Sequence, residues 1–262
     1  MSDIDVIVLD IDGGAMLAEC LASIHGAARV IVFDNGSRVP TRVAGSTPVE
    51  IIRSETNLGF ARGANEAYRK STAPFVALIN NDVILDRDWL TTVREAMDRD
   101  ERLAAVQTII RRPDGRIDGA GIDVSDGTFR QIGHGLHIGS DLAVAWGVSA
   151  TATLYRHTAI GERLFDERLF TYYEDVELSA RLREEGWRTA VLPVVKATHR
   201  GSASAGVLGR EALRLRTRNR YLVARLRRGT GNIRALLWED ARLALRGRTS
   251  PRGVIEGLWS RL

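Results

Sequence analysis

The 262-residue sequence predicts an α/β fold: a mostly parallel sheet flanked by helices, with a helical C-terminal tail. Three observations predict it. Short apolar runs alternate with segments of helical period over the first hundred residues. The links between them are too short for anything but strand–helix–strand packing against one sheet. Three of the apolar runs end on clusters of polar residues, the strand ends where an open sheet binds its ligands.

The elements follow in order. Residues 6–9 (Val-Ile-Val-Leu) form a continuous apolar run, as a strand buried on both faces requires. Gly13 and Gly14 end it, and Met16, Leu17, Cys20, Leu21 and Ile24 then recur at helical spacing. Residues 30–33 make a second strand, closed by the turn signal Asp34-Asn35-Gly36-Ser37. Residues 49–52 make a third strand, 59–70 a helix, 75–79 a fourth strand, 89–100 a helix and 103–109 another strand. Beyond Arg111 the pattern weakens. Residues 115–141 are rich in Gly and Asp and read as loops or a hairpin, 144–155 as a strand, 174–185 as a helix and 187–195 as a strand. From Leu208 the chain reads as Arg-rich helix.

Composition narrows the classes. Hydrophobic residues at 44% and charged residues at 27% exclude wholesale disorder. Cys20 is the single cysteine, so an intrachain disulfide and a cysteine-built zinc site are excluded. No apolar run reaches the roughly 20 residues of a membrane span, and the N-terminus lacks a basic signal region, so the expectation is a cytoplasmic protein. The net charge of +4 conceals an asymmetry: residues 208–262 carry fourteen Arg against four acids, a balance of +10, and the rest sums to −6. No GxxxxGK[ST] or GxGxxG occurs, which disfavours a P-loop NTPase and a standard dinucleotide-binding protein.

The polar clusters are Asp10-Ile11-Asp12, Asp34-Asn35-Gly36-Ser37 and Asn80-Asn81-Asp82. One such strand end is ordinarily a turn or a helix cap. Three on neighbouring strands point to a site, and their carboxylates suit a hard divalent cation bridging to phosphate.

With these residues in view, the sequence resembles glycosyltransferase family 2, in particular its rhamnosyltransferase-like bacterial members. Asp34-Asn35-Gly36-Ser37 resembles the family's DNGS. Residues 57–65, Asn-Leu-Gly-Phe-Ala-Arg-Gly-Ala-Asn, resemble its NxGF…GxN segment. Asn80-Asn81-Asp82 stands where its DxD or NxD lies. Residues 165–170 and 173–178 resemble FDExFF…YxEDxDL, and Gly186-Trp187 and His199-Arg200-Gly201 complete the series. Each motif is weak, but their order and spacing over residues 4–204 are specific.

The resemblance implies a GT-A fold with a Rossmann-like sheet. A domain over 1–207 would comprise a nucleotide-sugar half (about 1–110) and an acceptor half (about 111–207), followed by a basic helical extension over 208–262. It implies inverting transfer from a UDP- or dTDP-sugar to a glycan or lipid-linked acceptor in polysaccharide or cell-wall assembly. Asp34 would accept a hydrogen bond from the pyrimidine, and Asp12, Asn57, Arg62, Asn65, Asn80 and Asn81 would line the donor. Asp82 and His199 would hold Mg2+ or Mn2+, Asp175 would be the general base, and Glu174 and Trp146 would meet the acceptor.

The chemistry asks for the same parts. A sugar hydroxyl attacks well only when a carboxylate takes its proton. A departing nucleoside diphosphate needs its developing charge absorbed. Taken alone, Glu174-Asp175 is an ordinary acidic helix start, and His199 an ordinary packed residue. His134 and His137 read as loop residues and Cys20 as core. The rival classes are a non-catalytic nucleotide-sugar-binding subunit, for which Asp175 would be superfluous, and a sugar-phosphate nucleotidyltransferase, whose basic glycine-rich signature is missing after Asp12. The tail is either a solvated helical face or a peripheral contact with an anionic membrane at the inner face of the cell, since Leu and Trp interleave with its Arg. Nucleic acid is not an expected partner.

Overall fold

The computed structural model describes residues 3–43, 49–201, 209–227 and 229–260. The first half has the expected elements and one more, the short β5: β1 (Ile4–Asp10), α1 (Ala15–Ser23), β2 (Arg29–Asn35), β3 (Val49–Ser54), α2 (Phe60–Tyr68), β4 (Phe75–Asn80), β5 (Val83–Leu85), α3 (Trp89–Arg99) and β6 (Leu103–Arg111). The second half adds β7 (Ile117–Gly119), β8 (Ile122–Asp123), β9 (Arg130–Gln131), β10 (Ala152–Arg156), α4 (His157–Ile160), a 3-10 turn (Glu167–Leu169), α5 (Glu174–Glu184) and β11 (Arg188–His199). Three helices close the chain: α6 (Arg210–Leu226), α7 (Ile233–Ala244) and α8 (Pro251–Trp259).

The main sheet has the order β3-β2-β1-β4-β10-β6-β11-β5, with β7 also on β6. Its two sides explain the unbroken apolar runs. Along β1 every residue is buried, because Val6 and Val8 enter the core beneath α1 and α3 while Ile7 and Leu9 enter the one beneath α2, α4 and α5. Small residues let α2 lie close to the sheet: a Cβ on Gly63 would stand 3.2 Å from Leu9 and 3.3 Å from Phe33.

Three expectations need correction. The sheet is mixed, since β10 runs antiparallel between β4 and β6, and β5 and β7 are antiparallel to their neighbours. Only Ala152–Arg156 of the expected 144–155 strand is extended; residues ahead of it are spent in loops around Gly147. The 187–195 strand runs on to His199. It continues past Pro193 by a register shift between Leu192 and Val195, which absorbs the residue that cannot donate to the ladder.

The tail is more than a solvated arm. Ala212, Leu215, Tyr221, Leu222 and Val223 of α6 are buried. Several of them share a third core with Ile122, Phe129, Leu169 and Val176. Arg220 and Tyr221 both engage the buried Asp240 of α7, and Arg227 bonds Glu177 and Glu184 of α5. The outer faces of α7 and α8 leave Trp238 (72%), Leu245 (90%), Ile255 (61%) and Trp259 (80%) exposed. The expected boundary at 207/208 lies outside the described residues.

Candidate active site

A cavity of about 790 Å3 opens beyond the carboxyl ends of β1, β2 and β4 and reaches the start of α5. One wall of it is pinned by amides. Asn35 accepts from Leu58 N at 2.8 Å and donates to the Gly59 carbonyl at 3.1 Å, while Asn57 Oδ1 accepts from Gly59 N at 2.8 Å. Gly59 sits at φ 84°, and a Cβ there would lie 2.5 Å from the Phe170 ring, so only glycine fits. Asn81 donates to Asp10 Oδ1 at 2.7 Å, and Thr41 donates to Asp10 Oδ2 at 2.6 Å.

The turn from β4 to β5 carries Asp82. The antiparallel register sets His199, the last residue of β11, against Val83, and Arg200 N donates to the Asp82 carbonyl at 3.0 Å. That brings His199 Nε2 to 3.2 Å from Asp82 Oδ1, while His199 Nδ1 lies 2.7 Å from Asp118 Oδ2. Burial disfavours the imidazolium, but the hydrogen bonds to Asp118 and Asp82 outweigh it and lift the His199 pKa to about 9.

The same cavity is lined by Glu174 and Asp175, the first two residues of α5. The helix is entered through a segment in which three of four residues have positive φ: Phe170 at 62°, Tyr172 at 73° and Tyr173 at 68°. This strained entry is braced from the tail: buried Asn219 of α6 directs its amide to the carbonyls of Leu169, Thr171 and Tyr172, each at 2.8 Å. Asp175 Oδ1 accepts from Val176 N at 2.8 Å and Oδ2 faces Ala150 N at 3.4 Å. Burial raises the Asp175 pKa against these backbone bonds. Burial, and then the Asp175 charge, raises that of Glu174.

Three wall atoms are buried and have no hydrogen-bond partner among the described residues: Asn80 Oδ1, Tyr172 Oη and Glu174 Oε2. Buried polar groups are rarely left so, and here all three edge one ligand-sized space. Arg216 of α6 reaches the cavity with its guanidinium 4.4 Å from the Tyr172 ring centre.

Of the residues expected at the site, the structure gathers Asn57, Asn80, Asn81, Asp82, Glu174, Asp175 and His199 on this wall. Five others stand elsewhere. Asp34 is fully buried and spends its oxygens on Ser37 N, Thr41 N and Arg53. Asp12 is tied to Arg38 at 2.9 Å beside a smaller cavity of about 240 Å3. Asn65 clamps Phe165 through both its amide atoms. Arg62 lies exposed near Glu66 and Glu167. Trp146 packs on the third core under Arg183. Sequence reasoning missed Asp118, Tyr172 and Arg216, and set aside His134, which lines the cavity and bonds the Asp118 carbonyl at 2.7 Å. Only the His134-x-x-His137 spacing signalled any of them.

Comparison with known proteins accords with this geometry. N-acetylglucosaminyl-diphospho-decaprenol L-rhamnosyltransferase of Mycobacterium tuberculosis is 26% identical over 247 residues, covering 79% of each chain. An uncharacterized protein, y4gI of Sinorhizobium fredii, is 27% identical over 203 residues, and the match spans 70% of this chain but only 22% of that longer protein. Among solved structures, the mannosyltransferase PcManGT from Pyrobaculum calidifontis, in complex with GDP-Man and Mn2+, superposes with a TM-score of 0.60 at 17% identity, covering 99% of this chain and 88% of that one. The shared architecture is the GT-A fold. Residues 6–164 match the family model for glycosyl transferase family 2; the match spans more than half of the sequence, and the chain belongs to that family.

Proposed function

We propose that the chain is an inverting, metal-dependent glycosyltransferase that moves a sugar from a UDP- or dTDP-sugar to a hydroxyl of a glycan or lipid-linked acceptor. The observation that carries this reading is that one cavity is lined by both desolvated Asp175 and the Asp82–His199 pair. Single-displacement inversion needs both parts, a base where the nucleophile enters and charge neutralisation where the leaving group departs.

Asp175 takes the acceptor hydroxyl's proton as the new bond forms. Its raised pKa brings it closer to the operating range of a general base. Glu174, with its unpartnered Oε2, holds the acceptor by a hydrogen bond. On the donor side, Asn57, Asn80 and Asn81 supply amide donors and acceptors for the nucleotide and its phosphates. Asp34 and Asp12 act further back, fixing the segment of Arg38 and Thr41, and Asn65 fixes Phe165 ahead of α5. The oxygen of Asp82 and the Nε2 of His199, 3.2 Å apart, fit Mg2+ or Mn2+, and Asn80, with its unpartnered Oδ1, lines the same cavity. Such a cation, when bound, neutralises charge developing on the departing diphosphate.

No described helix is long and apolar enough to cross a membrane. The exposed Trp238, Leu245 and Trp259, set among the Arg residues of α7 and α8, support peripheral contact with anionic lipid. The test of the main reading is transfer from labelled UDP- and dTDP-sugars to a glycan or lipid-linked acceptor, with the anomeric configuration of the product read by NMR. An inverted product supports the reading. A retained one overturns the mechanism, and hydrolysis or nucleotidyl exchange in place of transfer overturns the function.

A further inference from the structure

We propose that Asp118 is a positioning residue for the cation site, holding the His199 ring so that Nε2 is presented to the space beside Asp82. The inference rests on the reading of Asp82 and His199 as a metal pair, and goes beyond it by assigning a residue from a segment that carries no recognised motif.

The geometry is specific. His199 has two ring nitrogens, and each meets a different carboxylate: Nδ1 lies 2.7 Å from Asp118 Oδ2 and Nε2 lies 3.2 Å from Asp82 Oδ1. The side chains are nearly closed to solvent, at 13% for Asp118, 16% for His199 and 6% for Asp82. All three line the main cavity. An exposed ion pair of this kind would contribute little; one that is buried at a ligand cavity fixes a ring.

The scaffold that sets the distance is the sheet. β6 lies between β7, which carries Asp118, and β11, which ends in His199. Arg111 of β6 pairs with Ile117 on one side and Thr198 on the other. Asp118 is the bulged residue between Ile117, opposite Arg111, and Gly119, opposite Ile110, and His199 follows Thr198 on the other edge of the same strand, so one strand holds both segments. Asp118 is itself steadied by His134, whose Nδ1 meets its carbonyl at 2.7 Å.

A carboxylate that accepts from Nδ1–H stops the ring from turning and keeps Nε2 as the nitrogen that faces Asp82, so that a cation there exchanges for the Nε2 proton and leaves Nδ1–H in place. Without it, either nitrogen can face the cation and the ring must be ordered as the cation binds. Loss of such an outer partner typically weakens metal affinity 10–100-fold.

The experiment titrates the full chain with Mn2+ alone, following the free-ion EPR signal, in wild type, Asp118→Ala, Asp118→Asn and Asp82→Ala. Melting temperatures without metal serve as the check on folding. Asp118→Ala is expected to weaken Mn2+ binding about 10–100-fold. Asp118→Asn keeps an oxygen for Nδ1–H and is expected to recover most of that loss. A purely structural role would lower the melting temperature without separating Ala from Asn in Mn2+ affinity. Mn2+ affinity within twofold of wild type in Asp118→Ala, with affinity lost in Asp82→Ala, overturns the role of Asp118 alone. Equal weakening by Asn and Ala overturns the positioning role. Mn2+ affinity unchanged in Asp82→Ala overturns the metal reading beneath both.

Discussion

Replacing Asp175 by Asn tests the base and the cost of placing it in one variant. The amide keeps the shape of the side chain and removes its charge. Burial raises the pKa of Asp175 above the ordinary carboxylate value. The folded chain therefore binds more protons than the unfolded chain between the unfolded pKa, near 3.9, and the raised folded one. Native stability falls as pH rises through that window, and the whole penalty is present above it. Each unit of displacement is about 1.4 kcal/mol, so relief of a displaced carboxylate is worth on the order of 1–3 kcal/mol. Against this, the amide keeps an acceptor for Val176 N but sets its NH2 toward Ala150 N, losing a long 3.4 Å contact, at a cost of about 0.5–1 kcal/mol. The net gain of about 0–2.5 kcal/mol corresponds to a melting temperature up to about 10 °C higher at pH 8 in a chain of this size. The gain should shrink at pH 5, where the wild-type carboxyl begins to protonate. Transfer should fall by about 10²-fold or more, roughly 2.7 kcal/mol in the barrier. Scanning calorimetry at the two pH values and initial rates with saturating donor and metal read both effects. Near-normal turnover refutes the base; a lower melting temperature at pH 8 refutes the burial argument.

Other perturbations follow from the same structure. Chelation by EDTA should abolish transfer and added Mn2+ or Mg2+ restore it, while Asp82→Ala and His199→Ala raise the metal concentration needed; full activity in chelator would remove both residues from the metal role. Asn219→Ala leaves three carbonyls of the α5 entry without their shared donor. It should cost on the order of 2–3 kcal/mol, seen as a melting temperature lower by about 4–12 °C, together with a reduced kcat; an unchanged melting temperature would show that α6 does not brace the loop. Removing the whole tail would open the third core, so membrane contact is better tested with Trp238→Ser/Trp259→Ser. The wild type should co-sediment with anionic but not neutral liposomes, more weakly at high salt, and the double variant should bind less; indifference of the wild type to anionic liposomes would leave these helices without a lipid role.

The sequence alone determined the half of the molecule whose signals are local. A strand buried on both faces must be apolar at every position, so β1, β2 and β4 stand out as runs. The polar residues that follow them fall at the sheet's carboxyl edge whatever the remaining topology. Asn80, Asn81 and Asp82 were legible for that reason, whereas Glu174 and Asp175, an ordinary acidic helix start taken alone, were singled out by the resemblance of residues 173–178 to the family motif. Tertiary structure decided what depends on contacts between distant segments. The antiparallel insertion of β10 leaves no mark in a five-residue apolar stretch. Asp34 looks like a ligand in sequence, yet Arg53 and the Thr41 amide, brought to it by folding, take its oxygens. Asp118 lies in a glycine- and aspartate-rich stretch with no period, and becomes a partner of His199 only because β6 holds β7 and β11 on its two edges. The tail's arginines read as one basic face. Folding divides them between Arg220 and Arg227, committed to buried carboxylates, Arg216 at the cavity, and those left among the exposed tryptophans. Charge and period are written along the chain, but which charges meet is set by the sheet order and the helix packing that bring them together.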